Sequence, residues 1–178
     1  MTKIRGFEII AEYLEQNIHL PQRSTFKSAG YDIEAAETIE IPSHWQQLIT
    51  YYLKEFKLLK VENKIDTNTL LKPTLVPTGI KAYMQEDEYL QIINRSSNPL
   101  KRFLILPNSV GIIDADYYNN AANEGHIYVQ LVNYGLFNVT IQKGDRIAQG
   151  IFTKFLKVDQ DQGGIAERQG GFGSSDQA

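Results

Sequence analysis

Residues 106–118 combine turn-forming side chains with two acids in a short stretch, Leu-Pro-Asn-Ser-Val-Gly-Ile-Ile-Asp-Ala-Asp-Tyr-Tyr. The proline, asparagine, serine and glycine favour a tight hairpin whose strand edge stays free for hydrogen bonds. Asp114 and Asp116 are two residues apart, a spacing that places both carboxylates on one side of a regular strand. Such a hairpin could hold a planar polar ring through main-chain groups while an acid faces the reacting atoms. An ordinary hairpin with solvated acids is the alternative.

Three further motifs carry hydrogen-bond donors. Arg95-Ser-Ser follows an apolar strand, and its guanidinium fork and hydroxyls suit phosphate oxygens. Lys143-Gly-Asp-Arg-Ile-Ala-Gln predicts a turn that leads into a strand, and Gly170-Gly-Phe-Gly-Ser-Ser resembles a flexible lid. Each motif alone is also typical of a simple turn.

Composition narrows the function classes. A chain of 178 residues can form one sizeable core, and a net charge of −3 argues against a general nucleic-acid binder. There is no cysteine for a disulfide, thiolate metal site or nucleophile, and the three histidines lack metal-ligand spacing. No apolar run approaches the length of a membrane span and the N-terminus lacks a basic-then-apolar signal, so we expect a soluble cytoplasmic protein.

The elements that must position these motifs are mostly short strands interrupted by glycine, proline and asparagine. They are predicted at residues 38–42, 74–80, 89–93, 103–106, 127–133, 138–142 and 146–155. This pattern indicates an all-β sandwich or barrel.

One helix interrupts the strands. Ser43-His-Trp-Gln matches a capping box, and an apolar stripe follows at spacings of three and four. Its members are Trp45, Leu48, Ile49, Tyr52, Leu53, Phe56 and Leu59. A stripe of this kind usually packs, here against the barrel or a neighbouring subunit. Residues 167–178 are glycine-, serine- and polar-rich, which is typical of a flexible tail.

Five motifs together resemble one family. Ala29-Gly-Tyr-Asp-Ile, Arg95-Ser-Ser, Gly111-Ile-Ile-Asp-Ala-Asp-Tyr, Arg146-Ile-Ala-Gln and Gly170-Gly-Phe-Gly-Ser follow one another as in the homotrimeric dUTPases. The resemblance covers nearly the whole chain apart from residues 43–71. It implies a mainly β fold, a distorted antiparallel β-barrel or jelly roll, with one domain (1–166), an inserted helical segment (43–71) and a flexible C-terminal arm (167–178). It also implies hydrolysis of dUTP to dUMP and pyrophosphate, which limits uracil incorporation into DNA and supplies dUMP.

The resemblance assigns a base and sugar pocket to the stretch around Asp114. Asn108 and main-chain groups of Ile112 and Ile113 would pair with uracil, and the closed pocket would exclude the methyl group of thymine. Tyr117 would pack on the sugar and reject a 2′-hydroxyl by sterics. Asp114 would be the general base for a water that attacks the α-phosphorus.

The resemblance assigns the phosphate contacts to two other motifs, at Arg95, Ser96, Ser97 and Gln149. Asp32 and Asp116 would support the site, the latter by pairing with Arg95. In the arm, Phe172 would cover uracil while Arg168 and Ser174 reach the terminal phosphates. Mg²⁺ would bridge the phosphates mainly through water, without direct protein ligands. Because the arm of this family closes over a neighbour's site, a homotrimer with shared sites is implied.

The sequence departs from the common family pattern at four places. Asn98 stands where glycine is common, and Asn119 and Asn120 replace a basic-glycine pair ahead of a longer loop. Arg168 lies one position nearer the phenylalanine than is usual. The fourth departure is the insertion at 43–71. Similar forms occur in Gram-positive bacteria and their phages, where inserts sometimes bind partners, so this segment could contact a protein.

Two other functions stay open. A dCTP deaminase shares this fold and the Arg-Ser-Ser element, but it needs a general-base glutamate near cytosine, where this chain has Asp-Ala-Asp-Tyr. A regulatory protein that uses nucleotide occupancy as a switch would belong to a different class. Neither a membrane nor a direct nucleic-acid partner is expected for this protein.

Overall fold

The computed structural model describes residues 3–56 and 70–163. They form twelve β-strands and one α-helix. In chain order these are β1 (Gly6–Ile9), β2 (Gln22–Arg23), β3 (Tyr31–Glu34), β4 (Ile39–Ile41), α1 (His44–Glu55), β5 (Thr74–Pro77), β6 (Ile80–Tyr83), β7 (Glu88–Asn94), β8 (Leu104–Ile105), β9 (Val110–Asp114), β10 (Tyr128–Asn133), β11 (Val139–Ile141) and β12 (Arg146–Lys154). Single helical turns lie at Ala11–Tyr13, Asn98–Arg102 and Ala115–Tyr117.

The strands form four sheets in which neighbours run antiparallel. The largest has the order β2-β3-β12-β7-β9, and a second has the order β5-β10-β8. Two further pairs are β1-β6 and β4-β11. The predicted mainly β, jelly-roll-like fold is confirmed, with sheets that stay open in the described part of the chain rather than closing into a barrel.

The core lies between the sheets, because buried and half-buried residues alternate along the strands and place the buried ones on one face. In β7, Leu90 and Ile92 are buried, while Gln91 and Ile93 between and after them are only half-buried. This period of two is the pleat of a strand with one face on the core. The buried face joins the same apolar cluster as Leu131 of β10. Since full burial of one such side chain contributes about 1.5–3 kcal/mol, this cluster stabilises the fold that holds the loops.

The helix begins where the capping box predicts. The Ser43 hydroxyl accepts a hydrogen bond from the Gln46 amide at 3.2 Å, and α1 starts at the next residue, His44. Ser43 is fully buried, and its hydroxyl also donates to the carbonyl oxygen of Gly135 at 2.6 Å. The helix start is therefore fastened to the loop before β11.

Much of the apolar stripe of α1 stays exposed in the single chain. No residue of the helix is buried, and four members of the stripe are more than half exposed: Trp45, Ile49, Tyr52 and Phe56. The prediction that the stripe packs against the barrel is therefore wrong for these four residues. That they pack against a neighbouring subunit stays a prediction. The last predicted member, Leu59, lies outside the described residues.

Strand boundaries differ from the prediction at one glycine. Residues 74–80 were expected as one strand, but Gly79 adopts a φ of +68° and separates β5 from β6. A positive φ suits glycine and ends regular pairing. No helix in the described part of the chain has the length and apolar content to span a membrane. The cytoplasmic location stays a prediction.

Candidate active site

A cleft opens beside the turn that precedes β9. Strand β8 pairs with β10, whereas β9 pairs with β7 at the edge of the largest sheet. The predicted tight hairpin at residues 106–118 is therefore wrong as a paired ladder, because β9 is the only strand within it and pairs with β7, while β8 just before it joins a different sheet. The predicted free edge is present, since β9 is the outermost strand. The cleft has a volume of about 180 Å³ and its lining includes Asn108, Ile112, Ile113, Asp114, Tyr117 and Gln130.

Asp114 is the acid that lines this cleft. Strand β9 ends at Asp114, whose backbone is extended, and the chain then enters the 3₁₀ turn Ala115–Tyr117. Because the strand ends there, Asp116 leaves it, and the predicted placement of both carboxylates on one strand face is wrong. Asp114 is half-buried while Asp116 is exposed. A ring bound in the cleft would lie next to Asp114.

Close contacts hold the cleft wall. A Cβ atom on Gly111 would lie 3.2 Å from Ile92 Cβ, which is a tight contact, and 3.5 Å from Asn108 Nδ2, which is an ordinary one, so a side chain here would crowd Ile92. Tyr117 is 6% exposed, and its hydroxyl donates to the carbonyl oxygen of His126 at 3.0 Å. Both walls are therefore fixed before any ligand binds.

A second cluster surrounds the carboxylate of Asp32 in β3. Arg95 Nε lies 3.0 Å from Oδ1, and Arg146 Nη1 lies 3.3 Å from Oδ2. Gln149 donates through Nε2 to Oδ1 at 3.1 Å, and the Ser24 hydroxyl donates to Oδ2. The register of β3 and β12 sets Asp32 opposite Gln149. Sheet pairing therefore builds this cluster from distant parts of the chain.

The Asp32 cluster carries excess positive charge. Burial raises the pKa of Asp32, but hydrogen bonds from Ser24 and Gln149 and the charges of Arg95 and Arg146 outweigh it. The pKa of Asp32 consequently lies below its ordinary value. One ionised carboxylate thus faces two guanidinium groups. Arginine forks of this kind suit phosphate oxygens.

The Arg-Ser-Ser triplet lies in the turn after β7, where Asn98 secures it. Asn98 is 1% exposed and donates through Nδ2 to the carbonyl oxygen of Ile147 at 2.7 Å and to Asn94 Oδ1 at 2.8 Å. These bonds fasten the turn to β12, the strand that carries Gln149. The departure from glycine at this position therefore has a structural role.

The cleft and the arginine cluster lie at opposite ends of β7. Asp114 pairs with Tyr89 near the start of β7, whereas Arg95 follows the last residue of that strand. Residue 95 is six positions beyond residue 89, and at about 3.3 Å per residue the separation is about 20 Å. One chain therefore does not bring Asp114 and Arg95 to the same phosphate group.

The structure groups the predicted site residues into two sets. The cleft unites Asn108, Ile112, Ile113, Asp114 and Tyr117, and the second cluster unites Asp32, Arg95 and Gln149, next to Ser96 and Ser97. Within one chain Arg95 pairs with Asp32 instead of Asp116, which follows Asp114 at the far end of β7. Arg168, Phe172 and Ser174 lie outside the described residues.

Sequence reasoning missed the roles of Ser24 and Arg146. Arg146 stood inside a recognised motif, but only strand register reveals that its side chain meets Asp32. Ser24 carried no signal beyond its place in a loop before β3.

The donor set is compatible with a magnesium ion held mainly by substrate. Residues 3–56 and 70–163 contain no group of three or more His, Cys, Asp or Glu side chains able to hold a metal. Mg²⁺ commonly keeps several waters and binds through one or two carboxylates plus substrate phosphates. Asp32 already accepts from four side chains, which leaves it suited to a water-mediated contact.

Comparison with known proteins gives consistent matches. The dUTPase family model matches residues 59–176. A deoxyuridine 5'-triphosphate nucleotidohydrolase from Lactococcus lactis subsp. lactis is 46% identical over 174 residues, 97% of this chain and 98% of that protein. The crystal structure of a dUTPase from Streptococcus mutans is 42% identical, with a TM-score of 0.68 over 86% of this chain and 98% of that chain.

A more distant likeness concerns the fold alone. A mutant dUTPase from phage phi11 of S. aureus is 16% identical, with a TM-score of 0.60 over 90% of this chain and 96% of that chain. That structure reveals the coordination of a structural Mg(II) ion in the phage protein.

Proposed function

The chain belongs to the dUTPase family and hydrolyses dUTP, and from this premise we propose that Asp114 is the general base of the reaction. The observation that carries the proposal is the position of its carboxylate at the end of β9, on the wall of a small cleft. Asp114 orients a water and takes its proton as the water oxygen attacks the α-phosphorus. The bond from that phosphorus to the bridging oxygen breaks, which releases pyrophosphate and leaves dUMP. Proton transfer to a positioned side-chain base typically raises the rate about 10²–10⁴-fold.

The base is recognised along the free edge of β9. Main-chain groups of Ile112 and Ile113 and the amide of Asn108 pair with the polar edge of uracil. The cleft, at about 180 Å³, is smaller than the roughly 300–1,000 Å³ of sites for drug-sized ligands, so it suits one ring. A site that hydrogen-bonds its ligand rejects analogues that leave its buried polar groups unpaired. Tyr117 packs against the deoxyribose and leaves no room for a 2′-hydroxyl.

The phosphates are bound by a neighbouring chain, because about 20 Å of strand separates Arg95 from Asp114 within one subunit. Arg95, Ser96, Ser97 and Gln149 of one subunit serve the cleft of another in a homotrimer. Val110 and Ile112 of β9 are 40% and 52% exposed in the single chain, and this apolar surface supports such an assembly.

The arm and the metal complete the site. Phe172 covers the base, Arg168 and Ser174 reach the terminal phosphates, and the arm comes from a third subunit. When bound, Mg²⁺ neutralises part of the charge of the triphosphate. Asp32 would hold the ion through water, and it orients the guanidinium groups of Arg95 and Arg146 for the phosphate oxygens.

Pyrophosphate release from dUTP, dTTP, dCTP and UTP, with and without Mg²⁺, tests this proposal. Of the four nucleotides, we expect only dUTP to release pyrophosphate at a high rate. We expect that rate to be higher with Mg²⁺ than without it. Asp114→Asn should lose about 10²–10⁴-fold in kcat and still bind dUTP, because the amide keeps the shape but cannot take a proton. Asp159→Asn, an exposed acid outside both clusters, is the matched control. Near-native turnover by Asp114→Asn would contradict the mechanism, and deaminated product from dCTP would favour the alternative enzyme.

A further inference from the structure

The loop of residues 119–126 is built around the hydroxyl of Tyr117. Asn123 Nδ2 lies 2.8 Å from that hydroxyl oxygen, which in turn lies 3.0 Å from the carbonyl oxygen of His126. A carbonyl oxygen can only accept, so the phenol donates to His126 and accepts from Asn123. One hydroxyl therefore ties the ring to two points of the loop.

The orientation of the Asn123 amide follows from its other neighbours. The backbone N–H of Gly125 lies 3.2 Å from Asn123 Oδ1 and can only donate. The side chain of Asn120 donates to the same oxygen at 2.8 Å. With its oxygen held on that side, the amide nitrogen of Asn123 must face the phenol.

The loop itself has a rigid base. Lys81 is 7% exposed, and its ammonium lies 2.6 Å from both Asn119 Oδ1 and Glu124 Oε1. Glu124 also accepts from the backbone N–H of Ala11 at 2.9 Å. At Gly125 the φ angle is +82°, and a Cβ atom would lie 2.7 Å from the carbonyl oxygen of Tyr117. The loop is thus pinned against Tyr117 at its backbone as well as at its hydroxyl.

We infer that Asn123 is a positioning residue for sugar selection, which holds the Tyr117 ring as a fixed wall against the deoxyribose. The inference rests on the proposed function, in which this ring faces the sugar. Since the phenol proton bonds to His126, the ring excludes a 2′-hydroxyl by its place and not by a hydrogen bond to the substrate. A site that rejects an added hydroxyl by shape alone discriminates by only about 10²-fold. If the Tyr117 ring can move aside, much of this discrimination between dUTP and UTP is lost.

The test compares kcat/KM for dUTP and UTP. Asn123→Ala should lower the dUTP-to-UTP ratio about tenfold, mainly through better use of UTP, because a weakened wall admits an added hydroxyl. Tyr117→Phe removes the same contact from the other side, together with the bond to His126, and should lower the ratio at least as much. The double variant should lose no more than the larger single variant, since residues that act through one contact are not additive. Asn138→Ala removes an asparagine from a different loop and should keep the wild-type ratio.

Two outcomes overturn the inference. One is an unchanged ratio in Asn123→Ala, and the other is an equal loss for both substrates, which indicates a merely structural role. If Asn123→Ala does not fold, Tyr117→Phe decides, since it leaves the other bonds of the loop in place; an unchanged ratio there also overturns the inference.

Tyr117→Ala separates this inference from the proposed function. If removal of the whole ring leaves the ratio unchanged, the sugar-facing role of Tyr117 is wrong. If Tyr117→Ala lowers the ratio while Asn123→Ala and Tyr117→Phe do not, the inference about Asn123 alone is wrong.

Discussion

His126 is expected to make the stability of the protein fall in mild acid. Its side chain is 2% exposed and packs between the rings of Tyr13 and Tyr128, with centroids 5.3 Å and 4.1 Å away. Nε2 lies 3.0 Å from the backbone nitrogen of Gly79 and accepts its hydrogen, so this nitrogen carries no proton. If Nε2 were protonated, its N–H would face the N–H of Gly79, and the hydrogen bond between them would be lost.

The size of the effect follows from the pKa of His126. Burial lowers it from 6.5 to about 4, against the smaller opposing attraction of Glu37 and Glu124. As the pH falls, the unfolded chain therefore takes up this proton first. The stabilisation is complete above pH 6.5 and is lost as the pH falls from 6.5 towards 4. At about 1.4 kcal/mol per pKa unit, the total loss is about 3 kcal/mol.

Urea unfolding at pH 7 and at about pH 4.5 measures this loss. His126→Gln is the comparison, because glutamine offers an oxygen to the Gly79 amide and does not titrate. The chain concentration must be equal at both pH values, since assembly adds to stability. Because pH 4.5 still lies above the folded pKa, we expect the wild type to lose about 2.5 kcal/mol more free energy of unfolding than the variant. Equal losses in the two proteins would refute the reasoning.

Three further predictions concern other parts of the structure. Asp32→Asn should raise the KM for dUTP and lower the free energy of unfolding by about 1–3 kcal/mol, because Arg95 loses its charged partner; unchanged steady-state kinetics would contradict this. Gly111→Ala should raise the KM for dUTP, since its Cβ atom would lie 3.2 Å from Ile92 Cβ and make the cleft wall shift; a KM equal to that of the wild type would argue against a tight cleft wall. Ser43→Ala should cost about 1 kcal/mol and speed hydrogen exchange in the first turn of α1, with unchanged turnover; slow exchange there would mean that the cap is dispensable.

Local rules predicted the parts of the molecule that short segments decide. The start of α1 follows from one hydroxyl and one amide three residues apart, and the strand predicted at residues 89–93 lies within β7. The order of the five motifs identified the family, and Asp114 does line a cleft.

The features that the sequence did not predict depend on pairing between strands that are far apart in the chain. Strand β9 of the 106–118 stretch bonds to β7, and β8 just before that stretch bonds to β10, partners that no local signal specifies. The meeting of Arg146 with Asp32 likewise depends on the pairing of β12 with β3, and Ser24 reaches Asp32 because it follows β2, which pairs with β3. For α1, amphipathic spacing predicted a buried stripe, but spacing cannot tell which surface covers it. A protein partner for residues 43–71 stays a prediction, and deletion of the segment with unchanged assembly and partner profile would contradict it.

The length of β7 has a genetic consequence in the proposed trimer. With about 20 Å between the two clusters, a chain that lacks Asp114 still offers its arginine to a neighbour, and a chain that lacks Arg95 still offers its acid. Two inactive alleles of these kinds should therefore complement each other when expressed together, because some sites in mixed trimers combine the intact half of each. Two alleles damaged in the same cluster should not.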